Sequence, residues 1–99
     1  MHEISAAHGV LEAMMEEAGR HGLSRVVSAR VTVNAVDGLS PENVAYWVGV
    51  LGEGTCVQGA VVEVYPAAGP GEDCPPPGTV RLDELRGVPR DDVEYDRPR

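Results

Sequence analysis

Over its first 65 residues the chain alternates between two hydrophobic periods, helical then extended, twice over. That alternation restricts it to folds in which helices and strands follow one another and share one core. Ile4, Ala7, Leu11, Met14 or Met15, and Ala18 recur at helical spacing, with Glu12, Glu16, Glu17 and Arg20 on the other side. A first helix is therefore expected from about Ile4 to Arg20. Gly22 is placed to stop it, and His21 sits where a cation favours the negative end of the helix dipole, so His21 needs no catalytic role.

RVVSARVTVN, residues 25–34, puts Val27, Ala29, Val31 and Val33 on one parity and Ser28, Arg30 and Thr32 on the other, the pattern of a half-buried strand. In LSPENVAYWVGVLG, Ser40 is an N-cap, Pro41 is pre-set for the first helical position and Glu42 favours the positive end of the dipole. Val44, Trp47, Val48 and Leu51 then form the apolar stripe of a second helix, ended by Gly52 or Gly54. Trp47, the only indole, is expected to be substantially buried. GAVVEVY, residues 59–65, is a second strand, β-branched and bounded by Gly59 and Pro66. A strand, a helix and a strand in succession allow the two strands to lie parallel.

The following PAAGPGEDCPPPG, residues 66–78, is a Pro/Gly-rich loop, because proline removes donors and glycine favours turns. TVRLDELRGV then alternates weakly and is expected to return as a third strand, antiparallel to the second. Pro89 and the acidic tail over residues 89–99 point to an edge position and a flexible end. The expected architecture is a single α+β domain over residues 1–99: two layers, with two helices packed on one face of a small three-stranded mixed sheet.

Composition supports that reading and narrows the partners. With 42% hydrophobic residues, no Phe and 4% aromatic residues, the core must be built from Val, Leu, Met and Ala. A net charge of -8 repels phosphate backbones and anionic membrane surfaces, so neither nucleic acid nor a membrane is an expected partner. No apolar run approaches the roughly 20 residues that span a bilayer, and no signal segment opens the chain, so a cytoplasmic location is expected. Two cysteines, Cys56 and Cys74, are too few for a disulfide framework, although a bridge between them is conceivable.

Enzyme chemistry finds no support. His8 lies one turn before Glu12, a spacing that usually marks a solvated surface pair, and there is no phosphate-cradling loop, nucleophile elbow or repeated Cys-x-x-Cys. The candidate chemistry is at the start, Met1-His2-Glu3. A free terminal amine, the His2 amide nitrogen and the His2 imidazole can close fused chelate rings around one ion, and divalent nickel and copper accept such nitrogen-rich, nearly planar coordination.

Taken together, MHEIS…HGVLEAMMEEAGRHG, SRVVSARVTVNAVDGLSPENVAYWVGVLGEGTCVQGAVVEV and DELR resemble the HypA/HybF family of hydrogenase nickel-incorporation proteins. The resemblance covers residues 1–65 well and residues 83–86 thinly. It implies a nickel metallochaperone that binds Ni2+ transiently and passes it to an apo-metalloenzyme, the hydrogenase large subunit, with a maturation GTPase as a further partner. By the family motif His2 is the nickel ligand, Glu3 a supporting acidic residue, and Met1 a donor through its amine. The sequence departs from the family at two places. Where the family carries a zinc lobe with two Cys-x-x-Cys pairs, this chain has PAAGPGEDCPPPGTV with Cys74 alone, so no structural zinc is expected. At the head of the second helix it has Ser40 where many members have Asp. An alternative is a non-enzymatic assembly or regulatory module on the same scaffold, with vestigial metal binding.

Overall fold

The first helix, α1, runs from Glu3 to Arg20 in a computed structural model of the protein that describes residues 3–34, 40–67 and 79–90. Its buried stripe is Ala6, Ala7, Val10, Leu11, Met14 and Ala18, so the ambiguity between the two adjacent methionines resolves to Met14, fully buried, while Met15 is 41% exposed. Ile4, expected on the stripe, is 50% exposed. It lies in the first turn on the border of the stripe, on the same side as Met15. The helix stops as expected: Gly22 has φ 66°, a conformation that costs a residue without a Cβ little.

Strand β1, Leu23–Val33, is the centre of the sheet, which has the order β2-β1-β3. Strand β2, Val61–Pro66, pairs with it in parallel, from Ser28 opposite Val61 to Val33 opposite Pro66. Strand β3, Val80–Pro89, runs antiparallel on its other side, from Leu23 opposite Pro89 to Val33 opposite Val80. The third strand is thus antiparallel to the second in direction but pairs with the first. The reason is length: an eleven-residue central strand offers the ten-residue β3 more backbone partners than the six-residue β2 can. Pro89 ends an edge strand, as its missing donor requires, rather than opening the tail.

Parity along β1 also departs from strict alternation. Val26, Ala29, Val31 and Val33 are buried, whereas Val27 is 44% exposed. The pairing of Val26 with Gly87 and of Ser28 with Arg86 leaves Val27 as an extra residue, and this bulge shifts the inward-facing set by one position.

Helix α2, Pro41–Leu51, connects β1 to β2. Ser40 caps it, its Oγ accepting from the Asn43 N–H at 3.3 Å, with Pro41 in the first turn. Val44 and Val48 are its fully buried residues. Trp47 is only half-buried, at the border of that stripe, with its ring edge-on to exposed Tyr46 at 5.5 Å and 77°. The helix closes at Gly52, whose N–H donates to the Val48 carbonyl at 2.8 Å. The residue there is glycine for space rather than for φ: a Cβ would stand 2.9 Å from the Val48 oxygen.

Both helices lie on the face that presents Val26, Ala29, Val31 and Val33, and among the described residues the thirteen that form the buried core are all Ala, Val, Leu or Met. The other face mixes charge with exposed apolar groups: Arg30 on β1 reaches Glu63 on β2 at 3.5 Å and Glu84 on β3 at 3.8 Å, while Val27, Val61 and Tyr65 are exposed. The expected two-layer α+β architecture is the one observed. Residues 68–78, most of the Pro/Gly-rich loop, and 91–99, most of the acidic tail, lie outside the described residues, as does Cys74; Cys56 is a half-buried free thiol.

Candidate metal centre

Two helix N-termini meet at Glu3. As the first residue of α1, Glu3 places a carboxylate in the first turn of its own helix, where the exposed N–H groups favour negative charge. That same carboxylate crosses to α2. Its Oε2 accepts from the Ser40 N–H at 3.2 Å, and both its oxygens accept from the Asn43 side-chain amide at 3.3 Å each. Ser40 in turn accepts from the Asn43 N–H and donates its hydroxyl to a Glu42 oxygen at 3.4 Å. Glu3, Ser40 and Asn43 therefore form one hydrogen-bonded cluster across a 40-residue separation in sequence.

Of the residues that the sequence assigns to the metal, Glu3 is placed by this cluster, while Met1 and His2 lie outside the described residues. Sequence reasoning does not single out Asn43. Its only signal is local, an amide at the third helical position after a serine N-cap, and nothing in that spacing names Glu3 as its partner. Among the described residues no group of three or more His, Cys, Asp and Glu side chains could hold a metal ion. His8 and Glu12 stand 3.8 Å apart and His21 and Glu17 3.0 Å apart, each histidine more than half exposed, which are the surface pairs expected of helical neighbours.

One carboxylate elsewhere has a shifted titration. Partial burial disfavours charge on Asp83, but the hydroxyl of Thr32 at 2.6 Å, the Arg81 guanidinium at 2.7 Å and the charge of Arg30 outweigh it and hold the carboxyl below the ordinary value. Asp83 belongs to the outer sheet face, bonded to Thr32 and away from the core side on which the helices pack. Among the described residues no helix is long and apolar enough to cross a membrane.

Comparison with known proteins gives this arrangement its context. The family model described as "HypA: Hydrogenase/urease nickel incorporation, metallochaperone, hypA" matches residues 1–76. The hydrogenase maturation factor HypA of Methanopyrus kandleri is 41% identical over 64 residues, 65% of this chain but only 45% of that relative. The hydrogenase maturation factor HypA of Dechloromonas aromatica is 31% identical over 88 residues, 89% of this chain and 78% of the relative. The solution structure of the Ni metallochaperone HypA from Helicobacter pylori has the same fold, with a TM-score of 0.70 over 91% of this chain and 100% of that one, at 14% identity. A family match over three quarters of the sequence, carried by a shared fold, shows that the chain belongs to the HypA family of hydrogenase/urease nickel-incorporation metallochaperones.

Proposed function

We propose that this chain binds one nickel ion through its N-terminal residues and delivers it during maturation of a metalloenzyme such as a nickel–iron hydrogenase. The donors are the Met1 amine together with the amide and imidazole nitrogens of His2, with Glu3 in support. The observation that carries the reading is the docking of Glu3 on the head of α2, which gives the residue next to His2 a fixed seat on the fold. Family membership supplies the metal and the recipient class. The ion is cargo, so its donors should be few and open to exchange, and a terminal chelate meets that requirement.

The partners proposed are the apo-hydrogenase large subunit and a maturation GTPase. No catalytic role is proposed, since the family is one of metal incorporation. Structural zinc is not expected either: the 99 residues contain two cysteines, and a tetrahedral thiolate site needs four ligands.

An N-terminal extension tests the mechanism, because it converts the amine into an amide while leaving α1 and its buried stripe unchanged. In a strain lacking the gene, a copy tagged at its C-terminus should restore metalloenzyme activity and a copy tagged at its N-terminus should fold but fail. If the chain is instead a scaffold with vestigial metal binding, both copies should work equally, and that result would remove nickel delivery.

A further inference from the structure

We propose that Asn43 is a positioning residue for the N-terminal nickel site: it holds the Glu3 carboxylate against the head of α2, so that Glu3 anchors the metal-binding terminus and does not ligate the ion. This inference rests on the nickel reading given above.

The hydrogen bonding around Ser40 departs from the usual arrangement in a way that explains why an asparagine is there. In a capping box, the side chain at the third helical position is Glu or Gln, and it reaches back to the N–H of the N-cap residue. Here the N-cap is Ser40 and the third helical position is Asn43, yet the Ser40 N–H donates to Glu3 of the other helix at 3.2 Å. The carboxylate that the box needs is supplied by α1. Asn43 makes room for it and holds it, its amide nitrogen donating to both Glu3 oxygens at 3.3 Å. A glutamate at position 43 would do the opposite. It would take the Ser40 N–H for itself and repel Glu3.

The consequence for the metal follows from how the carboxylate is occupied. Both Glu3 oxygens already accept hydrogen bonds, and one of them accepts two. Taking an oxygen to an ion would leave the Ser40 N–H without its partner and loosen the junction between the helices. Held in place, Glu3 still acts on a cation nearby through its charge, offsetting the positive ends of α1 and α2 that would otherwise oppose it. Partners hydrogen-bonded directly to a metal ligand typically account for about 10–100-fold in affinity, and Asn43, one step further out, is expected at the low end of that range.

The test is a nickel titration of the purified, untagged chain, followed by the visible d–d absorption of the bound ion, with thermal unfolding measured alongside. Four proteins are compared: wild type, Asn43→Ala, Asn43→Glu, and the exchange Glu3→Gln with Asn43→Asp, in which amide and carboxylate swap places. Both single variants should weaken nickel binding about 10-fold or more while the d–d spectrum at saturation stays that of wild type, because the donor set is unchanged. Asn43→Glu should do so with a thermal midpoint close to wild type, since it completes a capping box within α2. The exchange should recover much of the affinity, as the amide introduced on α1 then donates to the carboxylate introduced on α2. Tighter binding by Asn43→Ala, or a saturated spectrum that changes in the variants, would show the carboxylate to be a ligand and overturn the inference. Nickel binding by wild type with equal binding by every variant would overturn this inference alone, whereas absence of binding by wild type would remove the nickel reading and the inference with it.

Discussion

The charge of Asp83 is held from two strands at once. Arg81 lies two positions away, but Thr32, which donates the shorter bond, comes from the paired strand 51 residues earlier. Because its carboxyl titrates below the ordinary value when folded, it contributes stability that is present above the ordinary carboxylate range and is lost as pH falls through the lowered folded value. Asp83→Asn should therefore be less stable than wild type at pH 7, with the gap closing as both are acidified. Thermal midpoints measured across that range check it, and a gap independent of pH would assign the loss to packing. The two adjacent methionines give a sharper contrast. Truncating fully buried Met14 to Ala should cost about 2–5 kcal/mol, while Met15→Ala should stay within about 0.5 kcal/mol of wild type. Denaturant titration of the pair tests the orientation of α1.

Among the elements, those whose signals are local are legible in the residues themselves. The second helix announces itself through Ser40 and Pro41, and the first ends at Gly22, because caps and stops are built within a few residues. What the residues do not disclose is set by pairing between distant segments. Alternation in RVVSARVTVN places Val27 inside, yet β3 pairs so that Val27 is surplus and Val26 turns inward. A bulge belongs to two strands, and one strand's pattern does not contain it. Trp47 departs from expectation for a related reason: its stripe is right, but its ring lies at the border of α2 beside Tyr46. Gly87, opposite Val26, completes this region. An added Cβ would run into the Arg25 carbonyl oxygen and stand 2.6 Å from Leu23 Cδ1. Backbone cannot yield as a flexible side chain does, so Gly87→Ala should destabilise by about 1–3 kcal/mol, which equilibrium unfolding would register as a lowered midpoint.

For the molecule as a whole, the layer architecture follows from the order of periods, and the site follows only in part. Donor chemistry and resemblance single out Met1, His2 and Glu3 as a set, but not the partner of Glu3, because Asn43 is 40 residues away and carries no charge to attract notice. The fold brings the first turn of α1 to the first turn of α2, and that junction is the structural basis proposed for holding a metal at a terminus. Elemental analysis of protein from zinc-replete cells should find no stoichiometric zinc, since Cys56 and Cys74 are the only thiols in the sequence. A chelator-resistant zinc in each chain would show a site rebuilt from other ligands. The central claim is nickel at the N-terminus, and titrating untagged wild type and His2→Ala with Ni2+ tests it most directly. Wild type should bind about one ion per chain, consistent with a single nitrogen-rich chelate, and His2→Ala should lose that binding. Equal nickel affinity in the two proteins would contradict the account.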